Sequence, residues 1–240
     1  VSGLAARWRE LSGATVLLDG FHALKHALRF GAEVPLALTA DKAGALRLAG
    51  ELAPDLTGVL GESLREVTPA ELASLVPRPH PTGVAALATP APRRPAGGGP
   101  PVLVLDQPRH LGNVGAVIRL AAGAGAAGVL TTGTVDPWHP AVLRAAAGLH
   151  FATAVSRAEP AELPAGPLYA FDADGEDLRA VPIPPGALLA FGSERSGLTP
   201  GLRERATAVL ALPMRPGVSS YNLATSVAMA LYHWLARPPA

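Results

Sequence analysis

Three stretches of the chain set a few polar residues at the ends of apolar runs, the arrangement a ligand site requires. In Leu105–Gly123, LDQPRHLGNVGAVIRLAAG, Arg119 is the only charged residue between Leu111 and Val135, and its helical neighbours are small and apolar. A guanidinium buried there without a partner would cost several kcal/mol, so Arg119 needs a carboxylate, a carbonyl cage or an anionic ligand. A structural ion pair and a substrate-facing guanidinium both satisfy that need. Asn113 falls where the N-cap of this helix is expected, and capping alone explains it. In LLAFGSERSGLTP, Leu188–Pro200, a buried strand runs into Gly192, with Glu194 and Gly197 just beyond its carboxyl end. That is where ligands of open α/β sheets bind, although a lone Glu is also commonly a surface acid. In LALPMRPGVSSYNLATSVAMALYHW, Ser219, Ser220 and Asn222 crowd the start of a helix whose core stripe is Leu223, Val227, Leu231 and Trp234. One N-cap accounts for one of these polar groups and leaves two.

The elements that position these residues follow from periodicity. In the first part of the chain ATVLLDG reads as a strand ending at Asp19-Gly20, and FHALKHALRF as a helix with Phe21, Leu24, Ala27 and Leu28 on one face. Val34–Leu38 and Asp41–Ala49 repeat the strand-helix order. TPAE at 68–71 has capping-box spacing with Pro at the first helical position, and Gly83–Ala88 is a further apolar run. The Pro/Gly stretch TPAPRRPAGGGPP, Thr89–Pro101, excludes helix and central strand, which divides the chain into an α/β domain over 1–90, a linker over 91–101 and a second α/β domain over 102–240. Beyond it, PVLVLD, GVLTTG, PLYAFD, ALLAFGSE and ATAVLALP alternate with helices, the pattern of a parallel sheet covered on both faces. GAGAAG at 123–128 matches a dinucleotide-binding fingerprint but follows a helix and precedes a strand, the reverse of the order that brings a helix amino terminus to a pyrophosphate.

Composition removes several function classes. With 240 residues and 49% hydrophobic content the chain has ample core, and the absence of Cys excludes a disulfide framework, a thiolate zinc site and a cysteine nucleophile. No apolar run predicts a membrane span or signal peptide, and a cytoplasmic protein without a metal is expected. A net charge of +1 does not by itself announce nucleic acid.

Taken together and in this order, the three stretches resemble the signature motifs of the SpoU branch of the SPOUT RNA methyltransferases. Asn113, Gly115 and Arg119 match the first motif; Phe191, Gly192, Glu194, Gly197 and Leu198 the second; Pro213, Met214, Ser220 and Asn222 the third. WHPAVLRAAAG, 138–148, is similar to the intervening segment, and the likeness covers roughly residues 100–236. LLDGFHALKHAL and PTGVAALA resemble the ribosomal-protein-like substrate-binding domain often joined ahead of it. The chain departs from the family pattern in the third motif, where Ser-Leu-Asn-Val-Ser is usual and Ser220-Tyr221-Asn222-Leu223-Ala224 stands here with Thr225 one place late, and at Ala146, where Ser is usual.

The resemblance implies a Rossmann-like parallel-sheet domain tied in a deep trefoil knot and S-adenosyl-L-methionine as cofactor. It further implies a homodimer through the carboxyl-terminal domains and methylation of a ribose 2'-hydroxyl in structured RNA, ribosomal RNA in preference to transfer RNA. Arg119, Asn113, Glu194, Ser220 and Asn222 fall at its polar catalytic positions, and Gly192, Leu212, Met214, Tyr221 and Leu223 at its cofactor loops. Arg7, Arg9, Lys25, Arg29 and Arg78 are the basic candidates for RNA in the first domain. A noncatalytic RNA-binding protein on the same scaffold and a base methyltransferase of another branch are the alternatives.

Overall fold

The computed structural model describes residues 3–237. The chain divides into two compact units: one holds the residues up to Ala91 together with Ala147–Ala152, the other Pro92–Ala146 and the residues from Thr153 onward.

The first unit alternates short elements: α1 (Gly3–Leu11), β1 (Val16–Asp19), α2 (Phe21–Arg29), β2 (Leu36–Thr39), α3 (Lys42–Leu52), α4 (Thr57–Ser63), β3 (Leu64–Glu66), α5 (Pro69–Leu75) and β4 (Val84–Ala88). Its four strands form a mixed sheet in the order β1-β4-β2-β3, antiparallel except for the β2/β3 pair. Every residue of β4 is buried, as a central strand with both faces covered should be. Local chemistry fixes the helix starts: the Asp41 side chain accepts from the Gly44 amide ahead of α3, and Thr68 Oγ1 accepts from the Glu71 amide at 3.1 Å. Three elements, α1, α4 and β3, go beyond what periodicity predicts.

The second unit runs β5 (Val102–Leu105), α6 (Leu111–Ala124), β6 (Gly128–Thr131), α7 (Pro140–Ala145), β7 (Ala154–Arg157), β8 (Leu168–Asp177), β9 (Leu188–Phe191), α8 (Pro200–Glu204), β10 (Ala208–Ala211) and α9 (Leu223–Ala236). Its six strands are all parallel, in the order β10-β8-β9-β5-β6-β7. From β5 the chain first steps outward through β6 and β7, then crosses to β8 and fills the place beside β5 with β9. The direction of winding therefore reverses at β5/β9, and the crevice beyond the carboxyl ends of these strands is the expected ligand position. Gly125, inside the rejected fingerprint, is the left-handed C-cap of α6 at φ 72°, and its amide bonds to Ala121 O.

α6 lies against α7 so closely that a Cβ at Gly115 would sit 2.5 Å from Ala145 Cβ and 2.6 Å from Val142 O. Gly115→Ala should therefore cost about 1–3 kcal/mol of stability through overpacking, measured as a lower urea midpoint with the m-value unchanged. Native stability in that variant would mean the two helices are free to separate.

Candidate active site

At the carboxyl ends of β9 and β10 and beside the middle of β8 the second unit has a cavity of about 380 Å³, closed on one side by the start of α9. Its apolar wall includes Leu210, Leu212, Leu223 and the Phe171/Phe191 pair, whose rings stack at 4.4 Å with a 12° interplanar angle. Hydroxyls of Ser193, Ser219, Ser220 and Ser226 and the carboxylates of Asp172 and Glu194 complete the lining, with no Lys, Arg or His among them.

The floor depends on backbone proximity. Ser193 and Gly197 exchange two backbone hydrogen bonds of 3.0 Å, folding 193–197 into a tight turn with Gly197 at φ 66°. Gly192 lies so near that turn that a Cβ would meet Gly197 C at 2.1 Å, so no other residue fits. The far side of the turn is anchored by Asp106, only 1% exposed, whose two carboxylate oxygens accept from the Thr199 amide at 2.7 Å and from Thr132 Oγ1 at 2.6 Å. Thr132 Oγ1 in turn accepts from the amide of Gln107, which takes a left-handed φ of 48°. Asp106 thus ties the ends of β5 and β6 to the loop after β9.

The polar candidates form a directed chain. Asn222 is the N-cap of α9, its Oδ1 accepting from the Ala224 amide at 2.9 Å; its Nδ2 is then left to donate to Asn113 Oδ1 at 3.1 Å. Asn113 Nδ2 donates to Glu194 Oε1 at 2.8 Å. Burial raises the Glu194 pKa, but the bond from Asn113, backbone amides at 194 and 109 and the nearby His110 overcome it, and the carboxyl ends below its ordinary value. Glu194 is therefore anionic at neutral pH, and no alternative orientation of the two amides satisfies all the bonds.

Two expectations change here. The N-cap of α6 is His110, so Asn113 lies inside the first turn and its side chain makes tertiary bonds in place of a cap. Arg119 is exposed, not buried, and among the described residues it makes no hydrogen bond or ion pair. It stands on an outward stripe of α6 with Gly112, Ala116 and Gly123, and it does not line the cavity. The sequence argument assumed that an apolar helix is buried all round, whereas this stripe of small residues faces outward.

Glu194, Ser220 and Asn222 line the cavity, and Asn113 joins them from behind. All five predicted cofactor residues, Gly192, Leu212, Met214, Tyr221 and Leu223, also line it. Tyr221 donates its hydroxyl to Pro213 O at 2.9 Å, which closes the 213–221 loop on itself. The sequence reading missed Phe171, Asp172 and Asp106. The only available signal was their position at the carboxyl ends of apolar strands. In the first unit Arg7, Arg9, Arg29 and Arg78 are exposed and Lys25 is half-buried. Arg29 is engaged by Asp55, its Nε donating to Oδ2 at 3.0 Å. Among the described residues no group of three His, Asp or Glu side chains is placed to hold a metal, and no helix is long and apolar enough to cross a membrane.

Comparison with known proteins gives a consistent picture. Residues 100–232 match the model of the SpoU rRNA Methylase family. A mitochondrial rRNA methyltransferase 3 of Mus musculus is 36% identical over 155 residues, 60% of this chain; the chain spans about a third, 35%, of that protein. The crystal structure of an RNA 2'-O ribose methyltransferase superposes with a TM-score of 0.74 at 29% identity, covering 97% of this chain and 93% of that one. The SpoU methyltransferase AviRb from Streptomyces viridochromogenes, solved with AdoMet, shares the fold at a TM-score of 0.75 and 22% identity over 98% of both chains.

The polar chain can be broken at its middle. Asn113→Ala removes the strongest contribution lowering the Glu194 pKa, so the carboxyl resonance of Glu194 in an NMR titration should move to higher pH. An unmoved titration would mean that Asn113 does not hold the carboxylate.

Proposed function

The chain belongs to the SpoU rRNA methylase family, whose fold carries an α/β knot in the second unit, and from that premise we propose that it methylates a ribose 2'-hydroxyl in structured RNA. S-adenosyl-L-methionine is the donor, ribosomal RNA in the cytoplasm the substrate. The observation that carries this reading is a cation-free cavity of nucleoside size, with an aromatic and aliphatic wall and two carboxylates, closed by the Asn222–Asn113–Glu194 chain. An adenosine fits the wall, and a positively charged donor fits the carboxylates.

When bound, the donor supplies a sulfonium methyl group, already electrophilic, so the protein's task is to align the 2'-oxygen and accept its proton. Gly192, Leu212, Met214, Tyr221 and Leu223 hold the cofactor, largely through backbone and apolar contact. Ser220 and Asn222 position cofactor and ribose, and Glu194, fixed by Asn113, keeps the cavity anionic. No metal takes part.

Arg119 acts in this reading from a second copy. Its stripe on α6 adjoins that of α9, where Thr225, Met229, Tyr232 and Ala236 share a face and Tyr232 is 74% exposed. Two copies pairing through this apolar face bury it and bring each Arg119 to the other's cavity, where its guanidinium engages the reacting ribose or its phosphate. The amino-terminal domain, residues 1–90, holds the RNA, with Arg7, Arg9, Lys25, Arg29 and Arg78 on phosphates, Arg29 while also facing Asp55. The Pro/Gly linker, 91–101, connects it to the methyltransferase domain, 102–240.

Calorimetric titration with S-adenosylmethionine should give saturable binding near one site per chain, weakened about tenfold or more in Glu194→Ala and Asn222→Ala. Folded protein that takes up no cofactor would refute the reading. Arg119→Ala should bind cofactor normally yet be inactive. Mixing it with Glu194→Ala should restore about a quarter of native turnover, because exchanged dimers keep one intact site. No restoration would place Arg119 in its own chain's site.

A further inference from the structure

The lining of the cavity carries Glu194 and Asp172, the latter paired with Arg203 from outside the lining, and includes no Lys, Arg or His of its own. Three loops next to the cavity each carry an exposed arginine: Arg109 before α6, Arg195 in the 193–197 turn, and Arg215 in the loop between β10 and α9. Arg195 directly follows Glu194 and Arg215 directly follows Met214, both cavity-lining residues. The backbone amide of Arg109 helps to hold the Glu194 carboxylate. Of the two acids in the lining, Asp172 is paired with Arg203, and Glu194 accepts from Asn113 and forms no ion pair with these arginines.

Pairing is the rule for several arginines of this chain and is missing at this rim. Arg29, Arg47, Arg94, Arg179 and Arg203 each face a carboxylate within 4 Å. Arg109, Arg195 and Arg215 make no side-chain hydrogen bond or ion pair among the described residues. A free guanidinium keeps its full set of donors and its full charge for an external anion, and it binds phosphate oxygens bidentately. An anionic pocket ringed by free cations suits a reaction that joins a cationic cofactor to a polyanion.

We propose that Arg109, Arg195 and Arg215 grip the phosphodiesters on either side of the nucleotide whose ribose enters the cavity. This rests on the methyl-transfer reading and extends it to a second RNA contact surface, separate from the basic residues of the first unit. Backbone contacts of this kind set register and orientation and carry no base information. The rim thus centres the target ribose over the cavity, and sequence choice is left to other contacts.

The test uses the full chain and a fluorescein-labelled RNA stem-loop, with anisotropy measured across a salt series. Each of Arg109→Gln, Arg195→Gln and Arg215→Gln should flatten the slope of log affinity against log salt by about 0.7–0.9, and the triple variant by roughly two to three. S-adenosylmethionine affinity should stay native in all of them. Arg179→Gln, which removes an arginine already paired with Asp177, should leave the slope unchanged. Native slopes in the rim variants would overturn the proposal while cofactor binding, and with it the methyl-transfer reading, stands. An equal loss in Arg179→Gln would also overturn it, because the effect would then be one of net charge. Loss of cofactor binding in the native chain is a separate result and would count against the proposed function itself.

Discussion

Two asparagine amides placed end to end hold the active region together. Asn222 reaches Asn113 across 109 residues of sequence, and Asn113 reaches Glu194 across 81. The polarity of this chain is set at one end by the α9 amides that Asn222 must cap, and at the other by a carboxylate that can only accept. Given those two ends, each amide has one orientation. The amino termini of α6 and α9 and the loop after β9 are thereby locked in one arrangement. The Ser193–Gly197 turn and the Asp106 anchor serve the same end from below, fixing the loop that presents Glu194.

Much of this frame could be read from the sequence, for identifiable reasons. Strands such as Val102–Leu105 and Leu188–Phe191 are short, wholly apolar and bounded by turn residues, and α2 and α9 carry clear core stripes. α1, α4 and β3 were not legible, because brief elements with mixed composition owe their structure to tertiary packing. Asn113 is not the cap because the helix begins at Leu111, three residues earlier than its apolar run implies, which frees an apparent cap for a long-range bond. Arg119 was misread because small residues look the same to a hydrophobicity argument whether they face the core or an unfilled surface. The likeness of three motifs in order placed the polar residues better than any single stretch did, since Asn113, after β5, meets Glu194, after β9, and Asn222, after β10, only through tertiary contact.

The electrostatic layout gives the arrangement its chemical direction. The cavity's negative potential comes from Glu194, held anionic by hydrogen bonds, since Asp172 is already balanced by Arg203. A cationic ligand is favoured there over a neutral one of the same shape. Crowding does the remaining work. Gly192 has no room for a side chain and Gly115 none for more than a hydrogen, so the polar groups are carried on backbone that cannot relax.

The central claim is transfer of a methyl group to a ribose oxygen. Its most direct test is incubation of the full chain with methyl-labelled S-adenosylmethionine and unmodified ribosomal RNA, followed by digestion to nucleosides and mass spectrometry. The account predicts label on a 2'-O-methylnucleoside, at a linkage that resists alkaline hydrolysis. Label on a base, or no transfer by protein that binds the cofactor, would contradict it.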